Sequence, residues 1–195
     1  MPNLPARQVA DPLAQKNFEQ IEILLPSLVT TLPAKAVDGQ EVYYLADATN
    51  GVIWHLRYRS GSSSTYKWEY VGGPPLYSEV AASEGTTSTT YAALATAGPS
   101  ITVPRAGDYL VTIRGDGFNS GAGFAYMSYD IGATGAVDAD SFFLGHAGTE
   151  GDGNTRTRLK TGLAASTALV AKYKTNAGTE TFRQRAMSVL PVRVS

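Results

Sequence analysis

The chain has 195 residues and no cysteine, which excludes disulfides, thiol nucleophiles and metal centres built on thiolates. Sixteen Lys+Arg against 17 Asp+Glu leave a net charge of −1, so no general electrostatic pull toward nucleic acid or an anionic bilayer exists. Hydrophobic residues at 43% are too many for a disordered chain, and 20 Gly with 11 Tyr favour strands and turns over helices.

The N-terminus shows no basic region leading into an apolar stretch, so no secretory signal is read there. No apolar run is long enough to span a membrane. Residues 1–10 carry two prolines and no periodicity, and read as an extended arm. Asp11-Pro12 then marks a helix start, with a carboxylate for the orphan N–H groups and Pro at the first helical position. Ala14, Phe18, Ile21, Leu25 and Leu28 follow at spacings of 4, 3, 4 and 3, the pattern of a helical seam. Pro26 ends that helix near Leu25. A helix of about 14 residues is marginal in water and needs a surface to lie on. That surface is either its own chain or copies of itself at a symmetry axis, and the sequence leaves both open. Residues 1–38 thus form an arm and helix, read as an anchor.

Asp38-Gly39 turns the chain into three strand-like runs, residues 40–46, 52–59 and 65–71, joined by connections of hairpin length. Val52, Trp54, Leu56 and Tyr58 share one face of the second run, and Tyr66, Trp68 and Tyr70 one face of the third. Their pairing predicts a small antiparallel sheet over 39–73 with a Trp/Tyr-rich surface. A unit this small is only just stable alone, so that surface is covered by the helix, by the C-terminal part or by another subunit. Stacking on sugar rings is the other use of such a surface.

Gly72-Gly-Pro-Pro75 breaks both helix and ladder. Beyond it, short strand-like runs recur about every 10 residues, at 76–82, 87–96, 100–104, 108–116, 123–132, 141–146, 155–163, 169–175 and 181–194. Residues 74–195 therefore read as a jelly-roll β-sandwich. The fold class is mainly β: a short N-terminal helix, a small antiparallel sheet and the sandwich. In the last run Leu190, Val192 and Val194 point one way and Met187, Val189 and Pro191 the other. Apolar residues on both faces describe either a strand with no solvent side or one carrying a bulge.

Ile101-Thr-Val-Pro-Arg-Ala-Gly-Asp-Tyr109 resembles the turn between two strands of the complement-first-component and tumour-necrosis-factor-like jelly rolls, and Asn176-Ala-Gly-Thr-Glu-Thr-Phe182 the turn before their final strand. That resemblance implies a homotrimer packed through an apolar sheet face. The stretches Val37-Asp-Gly-Gln-Glu-Val-Tyr-Tyr-Leu-Ala-Asp47, Gly51-Val-Ile-Trp-His-Leu-Arg-Tyr58 and Tyr66-Lys-Trp-Glu-Tyr-Val-Gly-Gly-Pro-Pro-Leu76 resemble a module of tailed-phage virion proteins of the minor-tail, head-fibre or decoration type. It implies a structural role in a particle assembled in the host cytoplasm, with other virion proteins as partners.

Chemistry is sparse. Glu150-Gly-Asp-Gly-Asn154 spaces oxygen ligands like a calcium loop, but Thr155 stands where a Gly belongs and Thr161 where a bidentate Glu belongs. A glycine-rich hairpin loop is the better reading. Asn119-Ser-Gly-Ala-Gly123 leads into no helix, so it is no phosphate cradle. Arg156, Arg158 and Lys160 alternate on one strand face, to meet neighbouring carboxylates, a subunit or an anionic glycan. His55 shares a face with Arg57 and Arg59, which favours a neutral imidazole, and no Gly-x-Ser-x-Gly elbow occurs. The expectation is a non-enzymatic, cofactor-free and metal-free virion protein, a trimeric fibre, spike or decoration. Phe18, Ile21, Leu25, Trp54, Trp68, Leu190 and Val192 are its candidate oligomer or anchor residues. The alternative is a glycan-binding receptor module using the loop residues Asn119, Glu150, Asp152 and Asn154.

Overall fold

The structure, a computed structural model, describes residues 26–119, 123–145 and 152–195. The expected helix, with Phe18, Ile21 and Leu25, lies outside the described residues, as does Glu150. Thirteen strands are described: β1 (Ser27–Val29), β2 (Glu41–Asp47), β3 (Val52–Tyr58), β4 (Trp68–Gly72), β5 (Leu76–Val80), β6 (Glu84–Thr86), β7 (Ser100–Thr102), β8 (Gly107–Asn119), β9 (Ala125–Ile131), β10 (Phe142–Leu144), β11 (Asp152–Leu163), β12 (Ala168–Thr175) and β13 (Glu180–Val194). Helix among the described residues amounts to one 3-10 turn at Asp138–Asp140.

Most strands fall where alternation and turn residues place them. Two differences share a cause. Residues 87–96, expected as a strand, are irregular, with Ala92 alone bridging to Tyr173 of β12. Here Ser88 N–H donates to Thr86 Oγ1 and Ser88 Oγ to the Thr90 carbonyl. Likewise the run expected from residue 65 starts only at Trp68, because Ser62 and Ser64 hydroxyls accept from the Ser64 and Tyr66 amides. Local hydroxyl–backbone bonds compete with the ladder and win. The β1 strand, parallel to β2, has no counterpart in the sequence reading.

Strands β5-β13-β8-β11 lie in one sheet and β7-β12-β9-β10 in the other, and the chain switches between the two as it proceeds. This eight-stranded double sheet has jelly-roll connectivity. The small sheet β1–β4 is not separate from it: β4 pairs with the end of β13, Trp68 opposite Val194 and Glu69 opposite Arg193, making one nine-stranded sheet (sheet A) facing the four-stranded sheet B.

Trp54 and Trp68 are buried within this one chain. The Trp54 indole meets the Tyr109 ring at 6.3 Å and donates Nε1–H to the Pro74 carbonyl at 3.1 Å. The aromatic face of the small sheet is therefore covered by the sandwich itself. This corrects the expectation that Trp54 and Trp68 line an oligomer interface: fully packed indoles have no surface left to offer another subunit. The Gly-Pro-Pro corner makes the fold-back possible. Gly73 has φ +126°, and a Cβ there would lie 2.4 Å from the Ile53 carbonyl oxygen, so only glycine fits.

The Val103-to-Tyr109 turn clamps the end of the chain. Tyr109 Oη donates to the Arg105 carbonyl at 2.7 Å, and Arg105 Nε donates to the Ser195 carbonyl at 2.6 Å. Gly107 lies so close to β13 that a Cβ would meet the Arg193 carbonyl oxygen at 2.3 Å.

The last strand is set by two bulges. Register slips between Arg183 and Ala186, where Gln184 takes φ +45°, and again between Pro191 and Arg193. Each extra residue reverses which parity faces inward. Glu180 and Phe182 are buried before the first bulge, Arg185, Met187, Val189 and Pro191 between the two, and Val194 after the second. The apolar residues on both faces of the sequence pattern thus reflect bulges. Leu190 and Val192 are outward and half-buried, and Val194 does not share their face.

Candidate functional site

Two outward surfaces carry what the packing leaves unused. On sheet A the ladder sets Leu190 of β13, Leu110 of β8 and Leu159 of β11 side by side in one row. Leu110 is 37% and Leu159 55% exposed. The next row holds Ser188, Thr112 and Thr157, with the two threonine hydroxyls 2.9 Å apart. Charged pairs flank both ends of this patch: Arg193 with Asp108 on one side, Arg114 with Glu79 on the other, each at 3.5 Å. Burying the exposed parts of three leucines stabilises a contact by roughly 1 kcal/mol each, enough to anchor an interface rather than to form the whole of it.

The free edge strand β11 is guarded from the inside. Arg156, Arg158 and Lys160 point into the sandwich rim, not outward. Lys160 Nζ meets the buried Asp140 carboxylate at 2.5 Å, and Arg158 donates from Nε and Nη2 to the Ala139 carbonyl at 2.9 and 2.6 Å. Of the three destinations open in the sequence, carboxylate pairing within the chain is met by Lys160. Inward charges on an edge strand also discourage unwanted strand pairing.

On sheet B the outward residues are aromatic and charged. Phe124 and Phe143 meet edge to face at 5.8 Å, and Phe143 lies 6.3 Å from Tyr126. Next along the face, the Lys174 ammonium lies 4.9 Å from the Tyr126 ring centre and 4.6 Å from that of Tyr91. It pairs with Asp138 Oδ1 at 2.6 Å, the atom that also accepts from Tyr91 Oη at 2.8 Å. The ammonium first, then the phenol, holds the Asp138 carboxyl below the usual carboxylate range. Burial pushes the Tyr91 phenol up. A groove of about 530 Å³ runs beside them, lined by Thr90, Tyr91, Asp130, Val137, Asp138 and Lys174.

The loop residues proposed as ligand contacts behave differently from the expectation. Asn119 is buried, the last residue of β8, and its Nδ2 donates to the Ala177 carbonyl at 3.0 Å. That amide ties two connections together and presents nothing to a ligand, which corrects its assignment. Asp152 and Asn154 are exposed but belong to β11, opposite Gly117 and Gly115, so this part of the segment is strand rather than loop. Asn154 Nδ2 donates to the Phe143 carbonyl at 3.0 Å and the residue lines a shallow cleft of about 200 Å³ with Arg114, Asp116 and Gln184. Among the described residues no three metal-ligating side chains cluster, and no helix is long and apolar enough to cross a membrane.

His55 faces Glu41 as well as Arg57: its Nε2 is 2.8 Å from Glu41 Oε2, and Arg57 Nη2 is 2.7 Å from Oε1. Arg57, then His55, lowers the Glu41 carboxyl. The carboxylate comes from β2, across the ladder, which the one-strand view did not include. Glu180 carries no signal in its sequence neighbourhood that marks it as buried. It is 1% exposed, and burial pushes its carboxyl up to about 7 against the opposing effect of a hydrogen bond with the Asn119 side chain. Arg185 is also buried, lying over the Tyr173 ring at 5.3 Å with Nη2 donating to the Ala82 carbonyl.

No protein-family model matches the chain, and no curated protein matches it. Among solved structures it is similar to the Eiger tumour necrosis factor of S. frugiperda, at 12% identity and a TM-score of 0.40 over 63% of this chain and 95% of that one. A chain of infectious bursal disease virus, Gx strain, matches at 10% identity and a TM-score of 0.41, over 82% of this chain and 53% of that one. The C-terminal CBM6 of LamC, a marine laminarinase of Zobellia galactanivorans, matches at 15% and 0.33, over 58% and 99%. At such scores none of these likenesses bears on what the chain does.

Proposed function

We propose that the chain is a structural protein of a phage particle, a homotrimeric fibre, spike or decoration that projects its sandwich from capsid or tail. The observation that carries this reading is the row of Leu190, Leu110 and Leu159 on the outer face of sheet A. A monomer has no use for two exposed leucines set beside a half-buried third across neighbouring strands, and such a row marks an interaction surface. The resemblance of residues 37–76 to a virion module supplies the setting. Leu190 and Val192 keep their expected interface role in this reading, whereas Trp54 and Trp68 act inside the chain.

Light scattering on the full chain tests it. A trimer has a mass near 62 kDa, three times 20.6 kDa, and Leu159→Glu returns it to a monomer. A wild-type monomer at micromolar concentration overturns the trimer, and absence of the chain from purified particles by mass spectrometry overturns the virion assignment.

A further inference from the structure

The outward side of sheet B holds groups that neither the core nor assembly through sheet A employs. Phe143, on the outward side of β10, is 55% exposed and Phe124, just before β9, 40%, and neither position needs an apolar residue for the core. With Tyr126 they form a strip of rings spaced 5.8 and 6.3 Å apart, which runs toward the groove beside Tyr91. There the charges cancel: Asp130 pairs with Lys172 at 3.3 Å and Asp138 with Lys174 at 2.6 Å. Asp138 is nonetheless open, its side chain 66% exposed, and both of its bonds land on Oδ1, so Oδ2 remains an acceptor for a ligand hydroxyl. An anionic ligand meets two carboxylates here and a cationic one meets two ammonium groups. A neutral polyol with flat apolar C–H faces suits both the rings and the paired charges.

We infer that the outer face of sheet B binds a neutral polysaccharide, with the Phe143–Tyr126 strip stacking on sugar rings and Asp138 and Lys174 bonding hydroxyl groups in the adjoining groove. The site differs from the β8 and β11 residues Asn119 and Asp152, and it does not depend on the proposed trimer, because the leucine row lies on the opposite sheet.

The test uses the full chain titrated with maltohexaose, laminarihexaose and mannohexaose, and with a galacturonic acid hexamer as the charged comparison, read by calorimetry and by ring-proton shifts. At least one neutral hexaose is expected to bind and to shift the Tyr91 and Tyr126 ring signals. Phe143→Ala and Asp138→Ala, both at exposed side chains, each weaken that binding by about tenfold or more, with thermal melts confirming the fold. Leu159→Glu leaves it unchanged whatever it does to the oligomer. No binding of any neutral hexaose at millimolar concentration overturns the inference. So does binding indifferent to both variants, or binding confined to the acidic hexamer.

Discussion

The two outer faces of the sandwich follow one rule of alternation and end with opposite characters. Sheet A turns leucines and threonines outward across β13, β8 and β11, while sheet B turns out aromatic rings beside two ion pairs, Asp130 with Lys172 and Asp138 with Lys174. Their inner faces are alike, both feeding one core that also takes in Trp54 and Trp68. The difference lies wholly in residues the fold does not need, and such residues show what a surface is for. A dry patch of branched aliphatics fits another protein surface. Spaced rings beside bonded carboxylates and amines fit a ligand with both apolar faces and hydroxyls.

Four experiments break or sharpen that contrast, taken from the largest expected change in folding stability to the smallest. Trp54→Ala removes an indole shared by the small sheet and the sandwich and costs about 3–5 kcal/mol, seen as one cooperative denaturant transition shifted as a whole. Two separate transitions, with only one moving, refute the shared core on which both faces are mounted.

Glu180→Gln tests a buried carboxyl between the sheets. Its folded-state pKa of about 7 lies above the unfolded value of 4.5. Both states hold the proton at low pH, so no penalty exists there. As pH rises through 4.5 the unfolded state gains by releasing it, and above about 7 the folded state carries a penalty on the order of 3 kcal/mol. The variant is therefore expected to be more stable than wild type at pH 8 and nearly equal to it at pH 4. Equal melting curves at both pH values contradict the buried placement.

Lys174→Met removes the cation held between two rings and Asp138 and costs roughly 1–2 kcal/mol. Loss of the Tyr91 and Tyr126 ring-shift signature in the unliganded protein accompanies it. A neutral result at low salt means that the sheet B charges are not a fixed network. Leu159→Glu is the smallest change in intrinsic stability, within about 0.5 kcal/mol for a surface site. It nevertheless abolishes the concentration dependence of melting that an oligomer shows. If wild-type melting is already independent of concentration, the contrast between an assembling face and a ligand face fails on its first half.

Strand positions were largely legible. Val52, Trp54 and Leu56 declare their inward face by simple alternation, and β8, β9, β11 and β12 start and stop within a few residues of the turn signals. Sites were much less so. Leu110 and Leu159 belong to strands far apart in sequence, and only the ladder sets them beside Leu190. Tyr91, Asp138 and Lys174 come from an irregular segment, a 3-10 turn and a strand, and nothing in their spacing announces a meeting. Arg185 and Glu180 are both inward because a bulge between them changes parity, a one-residue event with no composition signal of its own.

By itself, then, the sequence determined a cysteine-free, nearly neutral β protein, its turns and most inward-facing residues, because period-two patterning and the glycine and proline requirements of turns are local. Tertiary structure decided that the small sheet joins the sandwich through β13, that its tryptophans are core, and which outward residues gather into a patch. Those outcomes depend on register between distant strands, and register is fixed by the summed fit of all paired faces rather than by any one segment.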